Sequence, residues 1–137
     1  MNNKGFTLIE LLAVLVIIVL VSTIGTSGIK KLSSNIKENM LNEKKELILY
    51  EAKVFGEDYK SILTDSCTIN SITYSKCYVV TVQDLIDNGY LTPKDNCIVN
   101  DENEKCYKNN ITEENMNTLN VYVYYVDSDK QVYAMMN

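Results

Sequence analysis

Glu10 is the first residue whose position asks for a chemical reason. It is the one charge in the run Phe6–Val21 (FTLIELLAVLVIIVLV), sixteen residues in which Thr7 is the one other polar side chain. On insertion scales an acid in a membrane helix costs about 2.5–3.5 kcal/mol, so a carboxylate placed there is expected to meet a partner and to mark function. Four cysteines, Cys67, Cys77, Cys97 and Cys106, are separated by nine, nineteen and eight residues, which leaves no C-x-x-C pair of the kind zinc sites use. Asn100-Asp101-Glu102-Asn103-Glu104 clusters hard oxygen ligands. It lacks the spacing and the glycine of a helix–loop–helix calcium loop, so it reads as a solvated acidic loop and no metal is expected.

The missing residue types are as informative. Histidine and arginine are both absent, which removes the commonest general base, the commonest metal ligand and the forked phosphate-binding side chain. An enzyme would have to work with Asp, Glu, Tyr or Lys alone, so no catalytic residue and no cofactor is expected. Thirteen lysines against eighteen acids give a net charge of −5, which argues against direct binding of nucleic acid.

These residues need elements to position them. Carried on through Ser22, Thr23 and Ile24, the apolar run reaches nineteen residues. As a helix it would span roughly 28 Å, close to the hydrocarbon thickness of a bilayer. The leader Met1-Asn2-Asn3-Lys4-Gly5 puts its one lysine on the cytoplasmic side and the rest of the chain outside. A cleaved secretory signal fits poorly. Its apolar core is usually about 7–15 residues, and a helical pattern runs straight through the nearest cleavage candidate, Thr26-Ser27-Gly28. A plain signal anchor leaves Glu10 unexplained.

The segment Lys4-Gly5-Phe6-Thr7-Leu8-Ile9-Glu10, followed by Leu11-Leu12-Ala13-Val14-Leu15-Val16-Ile17-Ile18, resembles the N-terminal motif of type IV pilins and pseudopilins. The resemblance covers roughly the first 25–30 residues. It implies that a membrane peptidase cuts between Gly5 and Phe6 and methylates the new amine of Phe6. It also implies that Glu10 is the assembly residue, whose carboxylate pairs with the amine of a neighbouring subunit. Such a pair is strengthened where the dielectric is low, and an unpaired partner there is penalised. Many members of that family carry a proline about twenty-two residues into the mature chain. Here Gly25 and Gly28 stand in that region and the only proline is Pro93. Glycine weakens a helix interior by about 0.8–1 kcal/mol relative to alanine, so the two glycines mark either a soft point or close helix packing.

Beyond the apolar run, Ile29, Leu32, Ile36, Met40, Leu47, Tyr50 and Val54 recur at steps of three, four and seven. That spacing predicts one face of a helix, with Lys30, Lys37, Glu38, Glu43, Lys44, Lys45 and Glu46 mostly on the others. One continuous helix is expected from about Phe6 to Phe55, apolar all round in its first half and amphipathic in its second. A coiled-coil stalk is the simpler alternative for the second half, but too few heptads are present to demand it.

From Gly56 to Asn137 a small mixed head is expected. Ser75–Val82 and Leu119–Val126 read as strands, Thr81–Gly89 as a capped short helix, and Asp127–Lys130 as a turn leading into a paired strand Gln131–Met136. The fold class is therefore α+β: a long N-terminal helix, its hydrophobic half spanning the membrane and its amphipathic half packed on a small antiparallel sheet, as in pilins. The segments are a leader 1–5, a hydrophobic helix 6–28, a stem 29–55 and a head 56–137. Outside the membrane, disulfides persist. Of three pairings, Cys67–Cys77 and Cys97–Cys106 are favoured because each closes a short polar loop, worth roughly 2–3 kcal/mol in the chain-entropy model; reduced thiols are the alternative. Tyr122, Tyr124, Tyr125 and Tyr133 read as cross-strand packing more readily than as an adhesive surface.

The function that the resemblance of the N-terminal segment implies is a structural subunit of a type IV pilus or of a pseudopilus of the secretion or DNA-uptake type. Its partners would be other pilin subunits, the prepilin peptidase and methyltransferase, the membrane assembly platform, and lipid before assembly. It would sit in the cytoplasmic membrane by a single pass with its head outside, and at the cell surface once assembled. The alternative is a signal-anchored extracellular binding domain that does not polymerise.

Overall fold

The computed structural model describes residues 7–99 and 102–136. Helix α1 runs Leu8–Asp58 and is followed by a 3-10 turn, Lys60–Ile62. Then come β1 (Asp65–Ile69), β2 (Ile72–Thr81), α2 (Val82–Asp87), β3 (Asp95–Val99), β4 (Glu102–Cys106), β5 (Asn120–Val126) and β6 (Gln131–Met136). The architecture is α+β and pilin-like, a long N-terminal helix followed by a small antiparallel domain. The chain divides into two units, Met1–Lys37 and Glu38–Asn137.

In the first unit the described backbone from Leu8 onward is helix alone. Every large apolar side chain from Leu8 to Val21 is exposed, by 46–82%. Ser22 Oγ donates to the Ile18 carbonyl at 2.7 Å, so its hydroxyl is satisfied within the helix. Among the described residues no helix is long and apolar enough to cross a membrane. The described apolar stretch, Leu8–Ser22, amounts to about 22 Å of helix against the roughly 30 Å of a bilayer core. The longer run read from the sequence also counts Phe6, Thr23 and Ile24, whose side chains lie outside the described residues.

In the second unit β1-β2-β5-β6 form one antiparallel sheet, and β3-β4 form a separate hairpin. Alternation decides the faces. Val121 and Val123 of β5, Val80 of β2 and Val132 of β6 are buried, and Leu41, Ile48, Ala52 and Phe55 of α1 join them in one core with Leu85 of α2. The stem therefore docks by a different face from the one its spacing suggested. Met40, Leu47 and Tyr50 are 44–64% exposed, and the buried stripe lies one residue further on. The stem carries two apolar stripes, and the one that fits the sheet includes the small residue Ala52.

Three strands were not legible as such. The cysteine loops are hairpins: β1 pairs with β2, and β3 pairs with β4. The β1–β2 connection is Asn70-Ser71, both at positive φ (50° and 67°), the backbone that a two-residue turn needs, here without glycine. Cys67–Cys77 and Cys97–Cys106 are disulfide-bonded across these hairpins. Helix α2 opens on a capping box in which Asp84 N donates to Thr81 Oγ1 and Thr81 N donates to Asp84 Oδ2.

Lys44 ties α1 to the second hairpin. Its Nζ lies 2.5 Å from Asp95 Oδ2 and donates to the Lys108 carbonyl at 2.9 Å. Burial alone would push the Asp95 carboxyl up, but the hydrogen bonds from Lys44 and the Lys108 backbone, with the charges of both lysines, outweigh it and hold the carboxyl below its usual range. Lowered in the fold, it contributes stability that is complete above the unfolded aspartate value of about 3.9 and is lost as pH falls through the folded value. Lys44→Ala is expected to cost about 1–2 kcal/mol at neutral pH. It should also flatten the acid limb of the stability profile, and denaturant titrations from neutral pH to pH 3 measure both.

Candidate functional site

The first turn of α1 is where the sequence placed its chemistry, and its geometry is defined from Thr7 onward. Thr7 N donates to Glu10 Oε2 at 2.9 Å, and Thr7 Oγ1 donates to the same oxygen at 2.8 Å. In return Glu10 N lies 3.4 Å from Thr7 Oγ1, a long contact that completes a capping box. A helix start has backbone N–H groups without intrahelical partners and a positive end of the dipole, and both favour a carboxylate there. Glu10 meets that need within its own chain. The Oε2 atom takes both Thr7 bonds, and Oε1 makes no hydrogen bond among the described residues.

Gly5 and Phe6 lie outside the described residues, so the cleavage and methylation positions have no geometry here. Gly25 and Gly28 both lie within α1. A Cβ built on Gly28 meets nothing within 4 Å, so packing inside the chain does not require glycine there.

The other candidate groups belong to the second unit. The two disulfides lie in separate hairpins of the second unit. Of the acidic loop, Asn100 and Asp101 lie outside the described residues, while Glu102, Asn103 and Glu104 are exposed on β4. Among the described residues no three acids, cysteines or histidines gather into a metal-sized group. Tyr124 stacks between Tyr74 and Tyr133, with ring centroids 4.2 and 5.8 Å away. Burial raises the Tyr124 hydroxyl above its usual range, as does the neighbouring Tyr74.

Sequence reasoning passed over two residues that the structure makes important. Asn117 is buried; its Oδ1 accepts from Tyr107 N at 2.9 Å and its Nδ2 donates to Gln83 Oε1 at 2.9 Å, stitching α2 to the loop after β4. No local pattern marks an asparagine that serves two distant partners. The other is Gly56, where α1 meets the sheet.

Residues 1–26 match the family described as the prokaryotic N-terminal methylation motif, the prepilin-type motif of type IV pilins and pseudopilins. No curated protein and no solved structure matches the chain. The motif supports a type IV pilin-like or pseudopilin protein and indicates a structural role. It implies processing by a prepilin peptidase, assembly with other pilin subunits and anchoring in the membrane.

Proposed function

We propose that this chain is a filament subunit of a type IV pilus or a pseudopilus. On this reading the leader is removed after Gly5, Phe6 is N-methylated, and Glu10 directs each subunit into the growing filament. The observation that carries the reading is the carboxylate of Glu10 at the start of a helix whose apolar side chains are exposed from Leu8 onward, within the matched motif. A monomer in water rarely leaves so continuous an apolar surface uncovered. Lipid covers it before assembly, and the helices of other subunits cover it afterwards. The exposed apolar residues Ile29, Leu32 and Ile36, and Met40, Leu47 and Tyr50 of the second unit, would extend that subunit contact along the stem.

The product is mechanical, since no step of bond chemistry belongs to the chain once the peptidase has acted. The test is the mass of the mature N-terminus from native cells, with and without the peptidase. The expected chain begins at N-methylated Phe6, and the full leader remains when the peptidase is absent. A chain that keeps Met1 with the peptidase present, or one cut near Gly28, would overturn the reading in favour of an anchored or secreted binding domain that does not polymerise.

A further inference from the structure

A cleft of the second unit gathers two ammonium groups, three hydroxyls and an apolar wall. It lies beside the turn that follows α1 and is lined by Lys60, Ser61, Leu63, Thr64, Lys76 and Tyr125, with a volume of about 280 Å³. Small-molecule sites run from about 300 Å³ upward, so the cleft stands just below that range and suits a group no larger than a monosaccharide. Two ammonium groups from separate elements converge on one ring: Lys76 Nζ lies 4.8 Å and Lys60 Nζ 5.8 Å from the Tyr125 centroid. The ring's negative face favours that approach without neutralising either charge. The hydroxyls of Ser61, Thr64 and Tyr125 make no hydrogen bond among the described residues. Leu63, which is buried, and the ring of Tyr125 supply the apolar wall.

Each lysine already holds a carboxylate, Lys60 with Glu57 at 2.5 Å and Lys76 with Asp127 at 2.7 Å. Both pairs are exposed, where an ion pair adds little to stability, so an anion entering the cleft displaces them at small cost. A phosphate offers three acceptor oxygens, enough for both ammonium groups and a hydroxyl. The remaining hydroxyls and the apolar wall suit a polyol, which has hydroxyls at its rim and C–H groups on its faces. We propose that this cleft binds a phosphate-bearing sugar or polyol. A continuous nucleic-acid backbone suits it less, because among the described residues the cleft offers only two ammonium groups and the chain carries a net charge of −5.

The proposal does not rest on filament assembly, and its test leaves that reading untouched. Calorimetric titration of the detergent-solubilised full chain with glucose 6-phosphate is expected to show saturable binding. Glucose and inorganic phosphate should each bind about tenfold more weakly or less, and the double variant Lys60→Gln/Lys76→Gln should raise the dissociation constant at least about tenfold. Because both lysines are exposed, the unfolding midpoint should hold; should it move, Thr64→Val decides, since an unchanged affinity in that variant overturns the proposal. A poly(glycerol phosphate) chain separates the two sources of the ligand: tighter binding per repeat points to a surface polymer, equal binding to a soluble metabolite. Failure of glucose 6-phosphate to saturate, affinity indifferent to both lysines, or tighter lysine-dependent binding of duplex DNA would each overturn the assignment.

Discussion

Replacing Gly56 with alanine is expected to destabilise the second unit by about 2 kcal/mol or more, although alanine is the better helix former. A Cβ at this position would lie 2.3 Å from Val123 Cγ1 and 2.7 Å from Val132 Cγ1, closer than carbon atoms approach in folded proteins. Neither neighbour can swing aside. Both valines are fully buried, and β-branched side chains are stiff about their first torsion. Relief therefore requires α1 to lift from the sheet, which loosens Ala52 and Phe55 on the same helix face. Overpacking of this kind costs about 1–3 kcal/mol and occasionally more, against roughly 1 kcal/mol that alanine recovers by its helix propensity. A small domain has only about 5–15 kcal/mol in hand, so the variant should show a lowered midpoint in denaturant. Adding Val123→Ala to Gly56→Ala should restore part of the loss, because it removes the nearer methyl and the two changes are coupled. Should Gly56→Ala prove as stable as the parent, the close approach of helix and sheet at this point would be wrong.

The same contact explains what the sequence could and could not disclose. The length of α1, the capped short helix α2 and the strand pair β5–β6 were legible because each rests on local spacing or local turn chemistry. The docking face of the stem was not. Leu41, Ile48, Ala52 and Phe55 recur at steps of seven, four and three; Met40, Leu47, Tyr50 and Val54 recur at seven, three and four. Each series is a valid helical stripe, the two differ by one residue, and one residue is about 100° around a helix, so periodicity alone cannot choose between them. The deciding signal was the pair of small residues four apart, Ala52 and Gly56, which marks where another surface comes close. The β1–β2 and β3–β4 hairpins were hidden for a different reason. Of their strands only β2 had a strand-like composition; β1, β3 and β4 are short and mostly exposed without an alternating apolar pattern, and the disulfides across the hairpins stand in for a core. At the helix start the residue types were legible, and so was a partner. The Thr7-x-x-Glu10 spacing is itself a capping-box signature of the bond between the two, passed over in favour of a partner in another subunit.

That bond determines how the assembly role of Glu10 has to be tested. Glu10→Gln is expected to abolish incorporation of the subunit into filaments while leaving the chain processed at Phe6 and held in the membrane. Two interactions are lost or kept separately by this choice of variant. Glutamine retains a side-chain oxygen that can accept from Thr7 N and Thr7 Oγ1, so the helix start survives. What disappears is the negative charge, and with it any pairing to the mature amine of a neighbouring subunit. In a low-dielectric filament core an amine left without a counter-charge is heavily penalised, a cost of about 3–5 kcal/mol when one partner of a buried pair is removed. That corresponds to a loss of incorporation of more than a hundredfold. Thr7→Val is the reciprocal control: it deletes the capping hydroxyl, leaves the charge in place, and should cost about 1 kcal/mol of local helix stability with filaments still formed. Counting filaments per cell by electron microscopy, beside the mass of the mature chain, separates the two roles. Normal filaments in Glu10→Gln together with none in Thr7→Val would make the carboxylate a helix cap alone. The register of subunits would then have to come from the apolar faces of α1.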